Sequence, residues 1–168
     1  MSTLNPTAAA FQNYLREQGL DIDVVEFKES TKTAQEAAEV MGCHVAQIVK
    51  SIIFRGETSG RGILVITSGK NRVCEKKVAA LAGEAPGKAN AAFVREVTGY
   101  AIGGVPPMAH AQAMTVFIDE DLMAEETVWA AAGTPNSMFP LTPDLLVRLA
   151  GGRVADVKAE PAPASYSI

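Results

Sequence analysis

Lys50 is the residue whose setting asks for chemistry. It stands inside Ile48–Arg55 (IVKSIIFR), a run of β-branched and aromatic residues that is apolar on both faces, as an interior strand would be. On a strand it shares a face with Ile48, Ile52 and Phe54. Lysine is depleted in strands and almost never fully buried without a partner. Such a lysine must reach an opening or meet an anionic or carbonyl oxygen. The other reading is an edge-strand lysine that snorkels to water and discourages aggregation. The pattern leaves both open. As a site residue its ammonium could orient a carbonyl or a nucleotide, or act as general base if desolvation lowers its pKa. A Schiff base with a carbonyl substrate is a third use, but the sequence places no acid or base partner for it.

A second feature is Gly99–Pro107 (GYAIGGVPP). Gly103 and Gly104 let the backbone approach a ligand closely or take positive φ, and Pro106 and Pro107 stiffen the exit. A rigid turn of this kind exposes N–H groups that could bind a developing oxyanion. It could equally be a plain turn between elements.

Other chemistry lacks its residues. Cys43 and Cys74 form no C-x-x-C, and His44 and His110 stand apart without a neighbouring ligand set, so no metal site is expected. There is no G-x-S-x-G elbow and no phosphate loop, and the two histidines read as surface or packing residues. The segment GKNRVCEKK, with Lys70, Arg72, Lys76 and Lys77, reads as a solvated helix start or a small nucleic-acid contact.

The elements that must position these groups are marked by local signals. Asn5 and Pro6 open a first helix that ends at Gly19. Val24–Phe27 reads as a short strand, and Thr33 with Glu36 forms a capping box for a helix closed by Gly42. GETSGRG joins the Lys50 strand to ILVITS as a hairpin. Helices are expected at Val73–Leu81 and at Ala91–Val97, the latter capped by Asn90. Strands are expected at Thr115–Ile118, Thr127–Ala131 and Met138–Leu141, before a last helix from Thr142 and Pro143 to Gly151. This alternation gives an α+β fold with a mixed or mainly antiparallel sheet.

The chain has 168 residues, 48% of them hydrophobic and 20% charged, enough for one compact domain with a sizeable core. Apolar runs are far too short for a membrane span, and no secretory signal is read at the start. With only two cysteines, a reduced cytoplasmic location is expected. With a net charge of −4 the chain has no overall excess of the basic kind that grips long nucleic acids. An RNA partner would be touched at a small part, such as a single-stranded end. Residues 1–157 are taken as one domain, and 158–168, rich in Ala, Pro and Ser, as a flexible tail.

Several segments together resemble the YbaK/ProX family, free-standing relatives of the editing domain inserted in bacterial prolyl-tRNA synthetases. They are TAQEAAEVMGCHVAQIVKSIIFR, VTGYAIGGVPP, TVFIDEDL and VWAAAGTPNSMFPLTPDLLVRL, ending in GGRVADV, and they run from about Thr31 to Val157. The family's essential lysine falls on Lys50. Its G-x-x-x-P loop falls on Gly103, Gly104, Val105, Pro106 and Pro107, while Gly133, Asn136 and Met138 would border the amino-acid pocket. The resemblance implies a mixed, mainly antiparallel sheet partly closed into a barrel with helices outside. It implies hydrolysis of the ester of a mischarged small amino acid on tRNA, with the aminoacyl-tRNA acceptor end as partner and no cofactor, metal or membrane. A synthetase partner stays open, as does a non-catalytic module that binds the same end or a small amino acid. Some related editing domains use a histidine near the last segment, and AGTPNSMF has none.

Overall fold

The computed structural model describes residues 4–160. Among these residues are five α-helices, two short 3-10 helices, and eight strands in two open sheets. In chain order the α-helices and strands are α1 Pro6–Glu17, β1 Val25–Glu26, α2 Ala34–Met41, β2 Val49–Gly56, β3 Gly62–Ser68 and α3 Glu75–Ala82. There follow β4 Pro86–Lys88, α4 Ala91–Thr98, β5 Thr115–Asp119, β6 Val128–Ala131, β7 Ser137–Leu141, α5 Pro143–Ala150 and β8 Arg153–Ala155. The larger sheet runs β4-β2-β3-β5-β8 and the smaller β1-β7-β6. Pairings are antiparallel except β3–β5 and β5–β8, which are parallel.

The helix starts follow the local chemistry. Asn5 Oδ1 accepts the Thr7 N–H with Pro6 at the first helical position. Thr33 and Glu36 form the reciprocal capping box, and Gly42 closes α2 in the left-handed conformation. Asn90 Oδ1 and Thr142 Oγ1 cap α4 and α5. β3 is the central strand, and all seven of its residues are buried. One of its faces joins Phe11, Leu15, Ile118, Phe139 and Leu146 in the main core, where the Phe11 and Phe139 rings lie 4.8 Å apart. On the other face Ile63 and Val65 pack with Val78 of α3, Phe117 and Val157.

The expected partial barrel does not form, because neither sheet closes on itself. The larger sheet ends in three-residue strands, β4 and β8, at opposite edges. The two sheets pack together in the main core, and among the described residues an isolated parallel bridge, Ile48 to Trp129, links their backbones. β4 and β8 also escaped the sequence reading, since Pro-Gly-Lys and Arg-Val-Ala carry no alternating pattern. Of the stretch expected as a tail, Lys158 bridges to Val73 and the Ala159 N–H reaches Arg72 O at 2.7 Å. The rest of it, 161–168, lies outside the described residues.

Candidate active site

β2 carries Lys50 past a gap in its own sheet. β4 pairs only with Phe54–Gly56, so Val49–Ile53 have no β4 partner on that edge. A cavity of about 560 Å³ opens there, and every residue from Ile48 to Ile53 lines it. Its other walls come from Thr31–Ala34 at the start of α2, from Ala89 and Val94, from Ile102, Gly103 and Val105, and from Ala131 and Met138 of the smaller sheet.

Lys50 is half-buried, and its Nζ donates to the Asn71 carbonyl oxygen at 2.8 Å. Burial lowers its pKa from the ordinary lysine value, the Arg72 charge adds to that, and Asp119 opposes it. The Asn71 carbonyl is itself fixed. The Asn71 side-chain amide donates to Asp119 at 2.8 Å and Asp121 at 2.9 Å. Asp119, fully buried, also accepts the backbone N–H groups of Ser68 and Asp121, each at 3.0 Å. A carboxylate at the end of an apolar strand thus anchors the loop on which the lysine rests. Asp119→Ala would leave those N–H groups unpaired. It is expected to lower the unfolding free energy by about 1–3 kcal/mol, measured as a shift in urea midpoint at unchanged slope. An unchanged midpoint would mean that the carboxylate is not what holds the loop.

The Gly103 segment is a β-turn closed by the Gly104 N–H on Ala101 O at 3.2 Å. Gly103, at its third position, has φ +99°, the positive value that a type II turn needs there. Gly104 lies against the facing chain so closely that a Cβ would sit 2.8 Å from the Thr134 backbone. Ile102 is the exposed tip of this turn, 55% accessible, at the cavity rim. The next four residues, Val105 to Met108, are buried. Pro106 O pairs with His110 Nε2 at 2.7 Å, and burial lowers the His110 pKa.

Of the sequence-derived candidates, Lys50, Gly103, Val105 and Met138 meet at the cavity, while Gly104, Pro106 and Pro107 back the loop without lining it. Gly133 and Asn136 stand outside the lining. Gly133, with φ +105°, packs where a Cβ would meet Thr7 and Tyr100. The Asn136 side-chain amide donates to Phe27 O at 2.6 Å and so braces the segment leading to Thr31. Lys32, Thr31 and Ile102 were missed. Lys32 precedes a capping box, where a basic residue reads as solvent-facing, and only the fold brings it across from Gly103.

Much of the basic segment is matched by carboxylates. Lys77 binds Asp156 and Glu160, and Lys70 lies 3.8 Å from Asp121. Among the described residues no three His, Cys, Asp or Glu side chains gather in a way that could hold a metal ion. No helix among them is long and apolar enough to cross a membrane.

Known proteins resemble this chain along most of its length. The aminoacyl-tRNA editing domain family matches residues 28–149. YwhH of Bacillus subtilis (strain 168), an uncharacterized protein, is 36% identical over 132 residues, covering 79% of this chain and 83% of YwhH. EbsC of Enterococcus faecalis (strain ATCC 700802 / V583), called a "putative Cys-tRNA(Pro)/Cys-tRNA(Cys) deacylase", is 23% identical over 134 residues, 78% of this chain and 80% of EbsC. A crystal structure of a "putative trans-editing enzyme for prolyl tRNA synthetase" superposes with a TM-score of 0.88 at 45% identity. That match covers 94% of this chain and all of the other.

Proposed function

Because the chain belongs to the aminoacyl-tRNA editing domain family, whose role is aminoacyl-tRNA editing, we propose that it is a trans-editing deacylase. Its substrate would be the ester between a mischarged small amino acid and the 3′-terminal adenosine of tRNA. The observation that carries this reading is the meeting of Lys50 with Gly103 and Val105 around one cavity beside an open strand edge.

An aminoacyl ester is already activated, so a protein nucleophile is not required. A water, or a water directed by the neighbouring ribose hydroxyl, attacks the carbonyl carbon. The carbon–oxygen bond to the ribose then breaks, the ribose oxygen takes a proton, and the amino acid leaves. Holding these atoms in line supplies much of the acceleration. Backbone N–H groups at Gly103 and Val105 are the candidates to hold the carbonyl oxygen as it becomes negative. The Gly104 N–H is already taken by Ala101 O. Lys50, as a compact cation, orients the carbonyl or the terminal nucleotide. Gly133 and Asn136 support the pocket from behind, through Tyr100 and Phe27, and Met138 forms part of its floor.

The test is release of amino acid from purified tRNAs charged with alanine, serine, threonine, cysteine or 2-aminobutyrate. At least one should be hydrolysed well above its spontaneous rate. Binding of charged tRNA with no release from any of them would instead make this a non-catalytic module for the same end. Borohydride trapping of an adduct on Lys50 would favour Schiff-base chemistry.

Contact with tRNA should be confined largely to the acceptor end. The net charge is −4, and carboxylates match much of the basic segment, so few phosphates are engaged and the salt dependence of affinity is shallow. A charged minihelix carrying only the acceptor stem is expected to be hydrolysed almost as well as full-length tRNA. An inert minihelix, with affinity that collapses at modest salt, would mean a broader recognition surface.

A further inference from the structure

The open edge of β2 has a polarity that follows from its register. The Gly69 N–H bonds Ile48 O at 2.7 Å, and the Gly56 N–H bonds Arg61 O at 2.8 Å. Between these two ends the antiparallel ladder with β3 alternates bonded and non-bonded pairs. The main-chain groups of Lys50, Ile52 and Phe54 therefore face β3, while those of Val49, Ser51, Ile53 and Arg55 face away. Arg55 meets Gly87 of β4, and the bridge from Ile48 to Trp129 covers the strand beside Val49. Ser51 and Ile53 remain. No strand among the described residues pairs with that edge at these two positions. Six consecutive residues line the cavity, which places it along the strand's edge rather than on either face.

Two carbonyl oxygens and two N–H groups thus point into a cavity whose nearby side chains are largely apolar, including Val94, Val105 and Met138. Among the polar side chains at its border, the buried Ser51 Oγ has no hydrogen-bond partner, while three others are engaged elsewhere. Thr31 Oγ1 donates to Pro135 O, Thr33 Oγ1 is held by Glu36, and Lys50 Nζ rests on Asn71 O. By strand alternation the Lys50 side chain also leaves on the face opposite to that of Ser51. The lysine therefore does not compete for these carbonyls. Main-chain groups that no protein group bonds take their partners from water or from a ligand, and in this cavity a ligand can supply them.

We propose that the Ser51 and Ile53 edge of β2 is the subsite for the α-amino group of the aminoacyl moiety, which donates to one of the two outward carbonyl oxygens as a neighbouring strand's N–H would. This deepens the deacylase reading and rests on it for the identity of the ligand. A main-chain acceptor recognises what all aminoacyl groups share and is indifferent to their side chains. The cavity then selects for a free α-amino group through the backbone, leaving discrimination of size to the apolar walls. An acyl group whose amine is replaced by hydroxyl, or capped by acetyl, loses the charge-assisted contact.

The test compares alanyl, lactyl and N-acetylalanyl groups in two measurements on the intact protein. One is hydrolysis of the corresponding charged tRNA. The other is calorimetric affinity for non-hydrolysable adenosine analogues that carry each group through a 3′-amide. Lactyl and N-acetylalanyl forms are expected to fall about 10- to 100-fold below alanyl, in kcat/KM and in affinity, as loss of a hydrogen bond to a charged group does. Equal handling of alanyl and lactyl would overturn the subsite, even if alanyl-tRNA is hydrolysed briskly. Loss with N-acetylalanyl alone would also overturn it, since that reports only bulk. Amine-dependent affinity without hydrolysis of any ester would keep the subsite and defeat the deacylase reading. Absence of both binding and hydrolysis would defeat both.

Discussion

Lys50→Met is expected to lose about 10²–10⁴-fold in deacylation rate while its Tm stays level or rises. The side chain is a cation on the cavity-lining strand β2, with an oxygen partner already in place. Methionine keeps the length of the stem and removes the charge, so the packing of β2 against β3 is preserved. The direction of the stability change follows from the pKa. Burial lowers the folded-state value below 10.5, so the charged form is disfavoured by folding. That penalty is full below the lowered value, where both states are protonated. It disappears as pH rises past the unfolded value. Removing the charge at neutral pH therefore removes a cost, offset in part by the lost bond to Asn71 O. Near-normal turnover in a folded Lys50→Met protein would end the assignment.

The same shift gives a pH profile. If the ammonium form orients the substrate, kcat/KM falls on the alkaline side, with a midpoint below the ordinary lysine value, after the spontaneous rate is subtracted. A profile that rises through that midpoint and levels off would make Lys50 a general base instead. Lys50→Met removes this limb in either case.

Gly104→Ala carries the second large effect, for a reason unlike the one that the sequence suggests. From the sequence, both glycines let the backbone approach a ligand closely or take positive φ, in a turn whose exposed N–H groups could hold an oxyanion. In the fold, Gly104 gives its N–H to Ala101 O and lies back to back with the Thr134 main chain. A Cβ there sits 2.8 Å from three backbone atoms, none of which can swing aside as a flexible side chain can. The turn must shift as a unit and carry Gly103 and Val105 with it. About 1–3 kcal/mol of stability should be lost, as for other overpacking changes. The displaced donors should lower the rate of hydrolysis by about 10²–10³-fold. Gly103→Ala differs in kind. Its positive φ strains any side chain, yet the nearest atoms to its Cβ belong to the Lys32 stem, at 3.0 Å, which can move. It should lose less stability than Gly104→Ala and still lose rate. Denaturation midpoints and single-turnover rates on both variants separate the two. Full activity and stability in Gly104→Ala would mean that the loop has room to shift and does not hold the substrate.

What could be read from the sequence was what neighbours along the chain decide. The caps at Asn5, Thr33, Asn90 and Thr142 were legible because a cap is a contact within three or four residues. β2 and β3 were legible from their β-branched runs, and Lys50 stood out because a cation inside such a run is unusual. What depends on where a distant strand stops was not legible. β4 ends at Lys88, which leaves Ser51 and Ile53 without a strand neighbour, and nothing near position 50 encodes that. The open sheets in place of a partial barrel follow from the same short edges. The family resemblance puts Asn136 at the border of the pocket, and in the fold its amide braces Phe27, because residues 109 positions apart settle which oxygen it meets. Gly103 and Gly104 look alike on paper. Only the approach of the Thr134 chain makes one of them a turn residue and the other a contact between backbones. Local signals fix which segments are helices and strands, since their hydrogen bonds and side-chain periods are short-range. The cavity, its donors and its acceptors are left over where segments distant in sequence meet, and only tertiary packing decides which groups remain unpaired there.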